Sequence, residues 1–216
     1  MKMEAPVLFD NDHPTVVYAP HFDPVLSSWY DWGPSVLEHF ANSTEYNLIF
    51  APHVLLFRRR WHLSPQNYKL RRTTPVPRWA WHTPNILIDR NSSALVDMTY
   101  IRAADIYLGD VSSQVYEFLY KPRPCVFLNP TRAEWRNKPE FRFWHTGPVV
   151  SELDGLFDAL HNAQSHHQDY LPQQQQAFNE AFDFGDQPAA QRIADTIADF
   201  LSSPETLGSK PATDSA

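Results

Sequence analysis

The sequence is poor in glycine and almost devoid of cysteine. Its 6 glycines form neither Gly-x-Gly-x-x-Gly nor a Walker loop, which excludes the two commonest glycine-built phosphate cradles. The single Cys125 permits no disulfide framework and sits in an apolar run suited to a buried strand, which fits a reducing compartment. No apolar run approaches the ~18 residues of a membrane span, and no signal-peptide pattern opens the chain. A soluble, cytoplasmic protein is therefore expected. The net charge of −7 argues against a nucleic-acid partner. No cofactor is expected. His161, His166 and His167 invite a metal, but no cysteine or carboxylate accompanies them at ligand spacing. Their Gln-rich surroundings, Gln173 to Gln176, read as a solvated loop.

Acidic residues are missing from one long stretch. Between Val54 and Ile88 stand Arg58, Arg59, Arg60, Lys69, Arg71, Arg72 and Arg78, interleaved with Trp61, Tyr68, Trp79 and Trp81. Two readings stay open. One is a solvated loop-and-helix face. The other is a basic, aromatic surface beside the cleft, suited to a polyphosphate or an anionic membrane. Pro65, Pro75, Pro77 and Pro84 argue against one long amphipathic helix.

What is present is an alternation of short apolar runs with capped helical patterns. Strands are expected near 15–19, 47–51, 85–89, 105–109 and 124–128, with a last short one at 147–150. Helices are expected from Ser27 or Ser28 to about Phe40, over Leu95–Ala104, from Ser151 to about Ala163, over Ala177–Phe184 and over Pro188–Leu201. Asn129–His145 reads as irregular. This order predicts an α/β fold, a Rossmann-like, doubly wound parallel sheet. Residues 15–202 form the expected domain, after an irregular segment 1–14 and before a disordered tail 203–216.

The segment Ala103–Leu119 organises the rest. Ile106, Tyr107 and Leu108 form a strand, Gly109-Asp110 a turn, and Ser112 or Ser113 can cap the helix carrying Val115, Phe118 and Leu119. Backbone N–H groups at such a turn favour phosphate. The first two strands deliver His21 and His53 to the same carboxyl edge.

At this point a family can be named. Val-Tyr-Ala-Pro (17–20), Phe-Ala-Pro-His (50–53), Ala-Ala-Asp-Ile-Tyr-Leu-Gly-Asp-Val-Ser-Ser (103–113), Glu117, Lys-Pro-x-Pro (121–124) and Gly-Pro-Val-Val (147–150) resemble the C-terminal half of the CDP-glycerol glycerophosphotransferase family. That family is similar in architecture to GT-B glycosyltransferases and to UDP-N-acetylglucosamine 2-epimerase. The resemblance implies a transferase, or its donor-binding half, moving a glycerophosphate or glycosyl group to a cell-envelope polymer or lipid-linked acceptor. It implies His53 at the catalytic cleft, and Asp110, Ser112 and Ser113 facing the donor's phosphates, with Val111 replacing the family's tyrosine. Glu117 holds the acidic position one helical turn later. His21 and Arg142 are further candidates for offsetting charge on the leaving group. The implied partners are a nucleotide-diphosphate donor (CDP-glycerol or a nucleotide sugar), an anionic membrane surface through 54–88, and a separate N-terminal GT-B half. The expected location is cytoplasmic, at the inner face of the cell membrane. A non-catalytic nucleotide-sugar-binding module and an epimerase relative remain alternatives.

Overall fold

A computed structural model describes residues 6–202. The expected tail at 203–216 lies outside the described residues. Six strands form one parallel sheet: β1 (Thr15–Ala19), β2 (Asn47–Phe50), β5 (Ile86–Ile88), β6 (Ile106–Gly109), β7 (Cys125–Leu128) and β8 (Val149–Val150). Their spatial order is β5-β2-β1-β6-β7-β8, and every neighbouring pair is parallel. The expected doubly wound sheet is therefore found, with the last short strand joined to it.

The residue pattern explains the burial. β2, β6 and β7 are buried at every position, as strands covered on both faces must be. Alternate side chains go to opposite faces. Val16, Tyr18, Leu48, Phe50, Ile106, Leu108, Val126 and Leu128 pack on one face. There they meet Trp29, Val36, Leu37 and Phe40 of α1 (Trp29–Ala41) and Leu156 and Leu160 of α4 (Leu156–Ser165). Val17, Ile49, Tyr107, Cys125 and Phe127 fill the other face. They pack against α2 (Thr99–Ala103), α3 (Gln114–Phe118) and the aromatic residues Phe141, Phe143 and Trp144.

Three segments depart from the sequence reading. Within 54–88 the chain makes an antiparallel hairpin of β3 (Trp61–Ser64) and β4 (Lys69–Arg72), followed by a 3-10 turn at Arg78–His82. Alternation in Trp-His-Leu-Ser, with Pro65 and Asn67 in the turn, carries that hairpin. The stretch read as irregular, Asn129–His145, contains a 3-10 helix at Pro139–Thr146, started by Pro139 and held by buried Phe141, Phe143 and Trp144. The Gln-rich stretch is no loop. It lies in α5 (His167–Ala181), where buried Gln174 donates to the carbonyls of Arg123 and Thr146 at 3.0 and 2.9 Å. That helix starts ten residues before the expected Ala177 (177 − 167) and ends at Ala181.

The chain divides into two compact units, Met1–Phe178 and Asn179–Ala216. The second carries α6 (Ala189–Ser202), with Arg192 donating to the Asp183 carbonyl at 2.7 Å. No helix of the described residues is long and apolar enough to cross a membrane.

Gly109 is fixed by a close approach. A Cβ there would stand 2.5 Å from Cε1 and 2.6 Å from the hydroxyl of Tyr107, whose ring lies over it. That hydroxyl is buried and has no hydrogen-bond partner among the described residues. Gly109→Ala should therefore destabilise the protein by about 1–3 kcal/mol through overpacking, measured by urea unfolding. Combining it with Tyr107→Val should recover part of that loss if the ring is the obstacle. Tyr107→Phe alone should be neutral or stabilising, because it deletes an unsatisfied buried group worth about 1–3 kcal/mol.

Candidate functional site

The strand order reverses between β1 and β6. In open α/β sheets ligands bind outside the carboxyl ends of the strands at such a point. Three segments leave the sheet there: Pro20–Ser28 after β1, Ala51–Leu55 after β2, and Asp110–Ser113 after β6. The first two are tied together by the His53 N–H, which donates to the Pro20 carbonyl at 3.0 Å.

The two histidines meet as the sequence led one to expect. Their ring centroids lie 5.5 Å apart, and Phe22 sits 4.6 Å from each. Nδ1 of His21 accepts the Asp23 N–H at 3.0 Å, and Nδ1 of His53 accepts the Leu55 N–H at 3.2 Å. With Nδ1 occupied as an acceptor, each neutral ring carries its proton on Nε2. Burial, and then the neighbouring His53, push His21 down to about 4, with Asp23 pulling the other way. Burial lowers His53 as well. At neutral pH both are hydrogen-bond donors, not cations.

Asp110 faces inward. Its residue is 1% exposed, and its carboxylate accepts the His21 N–H at 3.0 Å, the Ser28 N–H at 2.7 Å and the Ser28 hydroxyl at 2.9 Å. The Tyr18 hydroxyl extends the network to Ser28 at 2.8 Å. On the other side, Trp144 Nε1 donates to the Asp110 carbonyl at 3.2 Å. Burial pushes the Asp110 carboxyl up to about 7, against the pull of the Ser28 and His21 donors.

The serines that follow are more open. Ser112 is half-buried, and its hydroxyl accepts the Gln114 N–H at 3.3 Å. Ser113 is exposed at the N-cap position and makes no side-chain capping bond. With only 5 residues, α3 has little macrodipole, so any anion preference rests on individual N–H and hydroxyl groups. Glu117 lies on the exposed face of α3. Arg142 is exposed and reaches the same helix by donating from Nε to the Tyr116 hydroxyl at 3.0 Å.

Sequence reasoning missed two features. Ser28, read as a helix cap, makes no side-chain cap bond and spends its hydroxyl on Asp110. The loop after β7 holds a second part of the edge. Buried Asn129 bonds Ala133 through both amide atoms, and a hollow of about 480 Å³ lies beside Arg132, Trp135 and Arg136. The signal was Asn129-Pro130 at a strand's carboxyl end, equivalent to Pro52-His53 after β2. Among the described residues no cluster of His, Cys, Asp or Glu could hold a metal ion. His166 bonds Ser165, and His167 bonds Gln174, instead.

The buried titrating groups oppose each other. Asp110 binds its proton more tightly folded than unfolded, so its share of stability is complete below about pH 4 and is lost as pH rises through about 7. His21 binds its proton less tightly when folded. Its share is present above about pH 6.5 and is lost as pH falls through about 4, and His53 adds in the same direction. Asp110→Asn should therefore leave a stability that rises with pH over this range, and His21→Asn one that falls. Chemical unfolding across pH 4–7 separates the two cases. Parallel profiles in both variants would contradict the assignment.

Comparison with curated proteins returns no match. Among solved structures, the wall teichoic acid polymerase TagF is 17% identical with a TM-score of 0.54, over 89% of this chain and 45% of that one. TagF soaked with CDPG is 19% identical with the same TM-score, over 89% and 43%. The glycosyltransferase of kitacinnamycin is 10% identical with a TM-score of 0.53, over 92% and 46%. The chain thus spans less than half of each, and the likeness gives the fold alone, a doubly wound parallel sheet that resembles one half of a GT-B glycosyltransferase. The family described as CDP-glycerol:poly(glycerophosphate) glycerophosphotransferase matches residues 82–199, from the turn before β5 through most of α6. With more than half of its length matched, including the Asp110–Ser113 turn, the chain belongs to the CDP-glycerol:poly(glycerophosphate) glycerophosphotransferase family.

Proposed function

We propose that this chain is the donor-binding half of a transferase that uses a nucleotide diphosphate, CDP-glycerol in the first instance. The observation that carries the reading is the meeting of His21, His53 and the Asp110–Ser113 turn at the point where the strand order reverses. The pyrophosphate would lie on the N–H and hydroxyl groups of Ser112 and Ser113. The Nε2–H groups of His21 and His53 would face the phosphates and stabilise charge that develops as the nucleotide leaves. Asp110 is a positioning residue in this reading, since its oxygens are already filled and a carboxylate repels phosphate. Glu117 stands on α3, and Arg142 reaches it through Tyr116. The hollow beside Trp135 and Arg136 falls within the ~300–1,000 Å³ typical of ligand pockets and would take the nucleoside. This chain spans 45% of the TagF polymerase, and the acceptor and the second wall of the cleft would come from the other GT-B half.

Ser113→Ala should weaken CDP-glycerol binding roughly 10- to 150-fold, the cost of one hydrogen bond to a charged group. Its thermal stability should stay unchanged, because the hydroxyl caps nothing. His53→Ala should reduce turnover more than binding when the acceptor half is supplied. Calorimetric titration of CDP-glycerol, CDP-ribitol and UDP-sugars against wild type and both variants checks this. Equal affinities throughout would remove the site. A bound phosphate also raises the pKa of the two histidines, so affinity should increase as the pH is lowered below 7.

A further inference from the structure

The β3–β4 hairpin has one face anchored and one face bare. In the register Trp61↔Arg72 and Leu63↔Leu70, these four side chains share a face. Trp61, Leu63 and Leu70 are 54%, 59% and 59% exposed. On the other face His62 and Ser64 are buried, with His62 Nε2 at 3.1 Å from the carbonyls of Leu56 and Arg59. Arg71, on that face, pairs with Asp31 at 2.8 Å. At the turn Tyr68 adopts φ 50°, a conformation costly for a bulky residue, with its ring 92% exposed. Arg72 shares this face, and Arg58, Arg59, Arg60 and Lys69 are exposed on the same hairpin and the chain leading into it.

We propose that this face of the hairpin docks on an anionic lipid bilayer. Trp61, Leu63, Tyr68 and Leu70 would enter the headgroup and acyl boundary, where aromatic rings prefer to sit. The five cations would remain at the lipid phosphates. Charge and apolar burial decide against the other occupants. A second copy presenting the same face would set like charges against each other. A nucleic acid gains nothing from the aliphatic Leu63 and Leu70, whereas the acyl boundary of a bilayer buries them. The hairpin stands beside the proposed donor site, for the His62 ring lies 6.3 Å from that of Phe22, which touches both site histidines. Docking would thus bring the donor to a membrane-borne acceptor. That consequence rests on the proposed function; the docking itself does not.

The test is co-flotation of the full chain with vesicles of phosphatidylglycerol and phosphatidylcholine, and of phosphatidylcholine alone, at low and high salt. Binding to the mixed vesicles only, weakened by salt, is expected. Arg59→Glu/Lys69→Glu/Arg72→Glu should reduce partitioning at least a hundredfold, at about fivefold per lost cation. Trp61→Ser/Leu63→Ser should abolish stable binding with the charge unchanged. Both variants alter exposed side chains and should keep the wild-type melting temperature and CDP-glycerol affinity, which separates this result from failure of the donor site. No flotation at low salt overturns the proposal. So does flotation that both variants retain, equal binding to phosphatidylcholine alone, or capture by single-stranded nucleic acid in place of vesicles.

Discussion

One buried carboxylate holds the carboxyl edge of the sheet together. Asp110 ends β6, yet its oxygens are spent on the segment after β1, through His21 and the start of α1 at Ser28. Its carbonyl meanwhile takes Trp144 from the 3-10 helix beyond β7. Three segments distant in sequence are thereby fixed by one residue. A buried carboxylate is costly unless its lone pairs are filled, and here two backbone N–H groups and a hydroxyl fill them. The cost is not fully offset, which is why burial still lifts the carboxyl to about 7. The position of His21 follows, since its backbone is one of the donors.

The same network orders the edge at which we propose an anion site, and it does so without a glycine loop. The turn after Asp110 leaves Ser113 exposed and free of capping duty. Its helix is too short to supply a useful dipole. Burial holds both histidines neutral, His53 adds to the effect on His21, and each keeps Nε2–H as donor. Recognition would then come from several oriented neutral donors rather than from lysine or arginine, as in oxyanion-type stabilisation. Tyr107 packs against this turn over Gly109, with a buried hydroxyl that has no hydrogen-bond partner among the described residues.

Much of this was legible in the chain because it depends on local pattern. The five main strands stand where short apolar runs stood, since strands of a parallel sheet covered by helices read as near-continuous apolar runs. The two strand-end histidines met because parallel neighbours bring equivalent positions to one edge. What was not legible depends on contacts between distant segments. Nothing near Ser28 announced that its hydroxyl would serve Asp110, 82 residues away, instead of its own helix. Gln174 looked solvated because its neighbours are glutamines; its burial follows from two carbonyls, on Arg123 and Thr146, that needed a donor. The hairpin was hidden by its charge. Arginines dominated the reading of 54–88, while the alternation of Trp61 and Leu63 against His62 and Ser64 carried the fold.

The internal satisfaction of this edge bears on how a half-cleft can work. A wall whose buried carboxylate waited for a partner domain would leave an uncompensated charge until assembly. Here every oxygen of Asp110 is met within residues 18–144, so this edge is ordered by its own contacts. Ordering in advance lowers the cost of binding any ligand at this edge, because no loop has to be fixed when it enters. Among the described residues, the Ser113 hydroxyl and the Nε2–H groups of His21 and His53 stay unspent at this edge. The division of labour follows from the physics of burial: groups that the fold has satisfied hold the geometry, and groups it has left unspent are those able to meet a ligand.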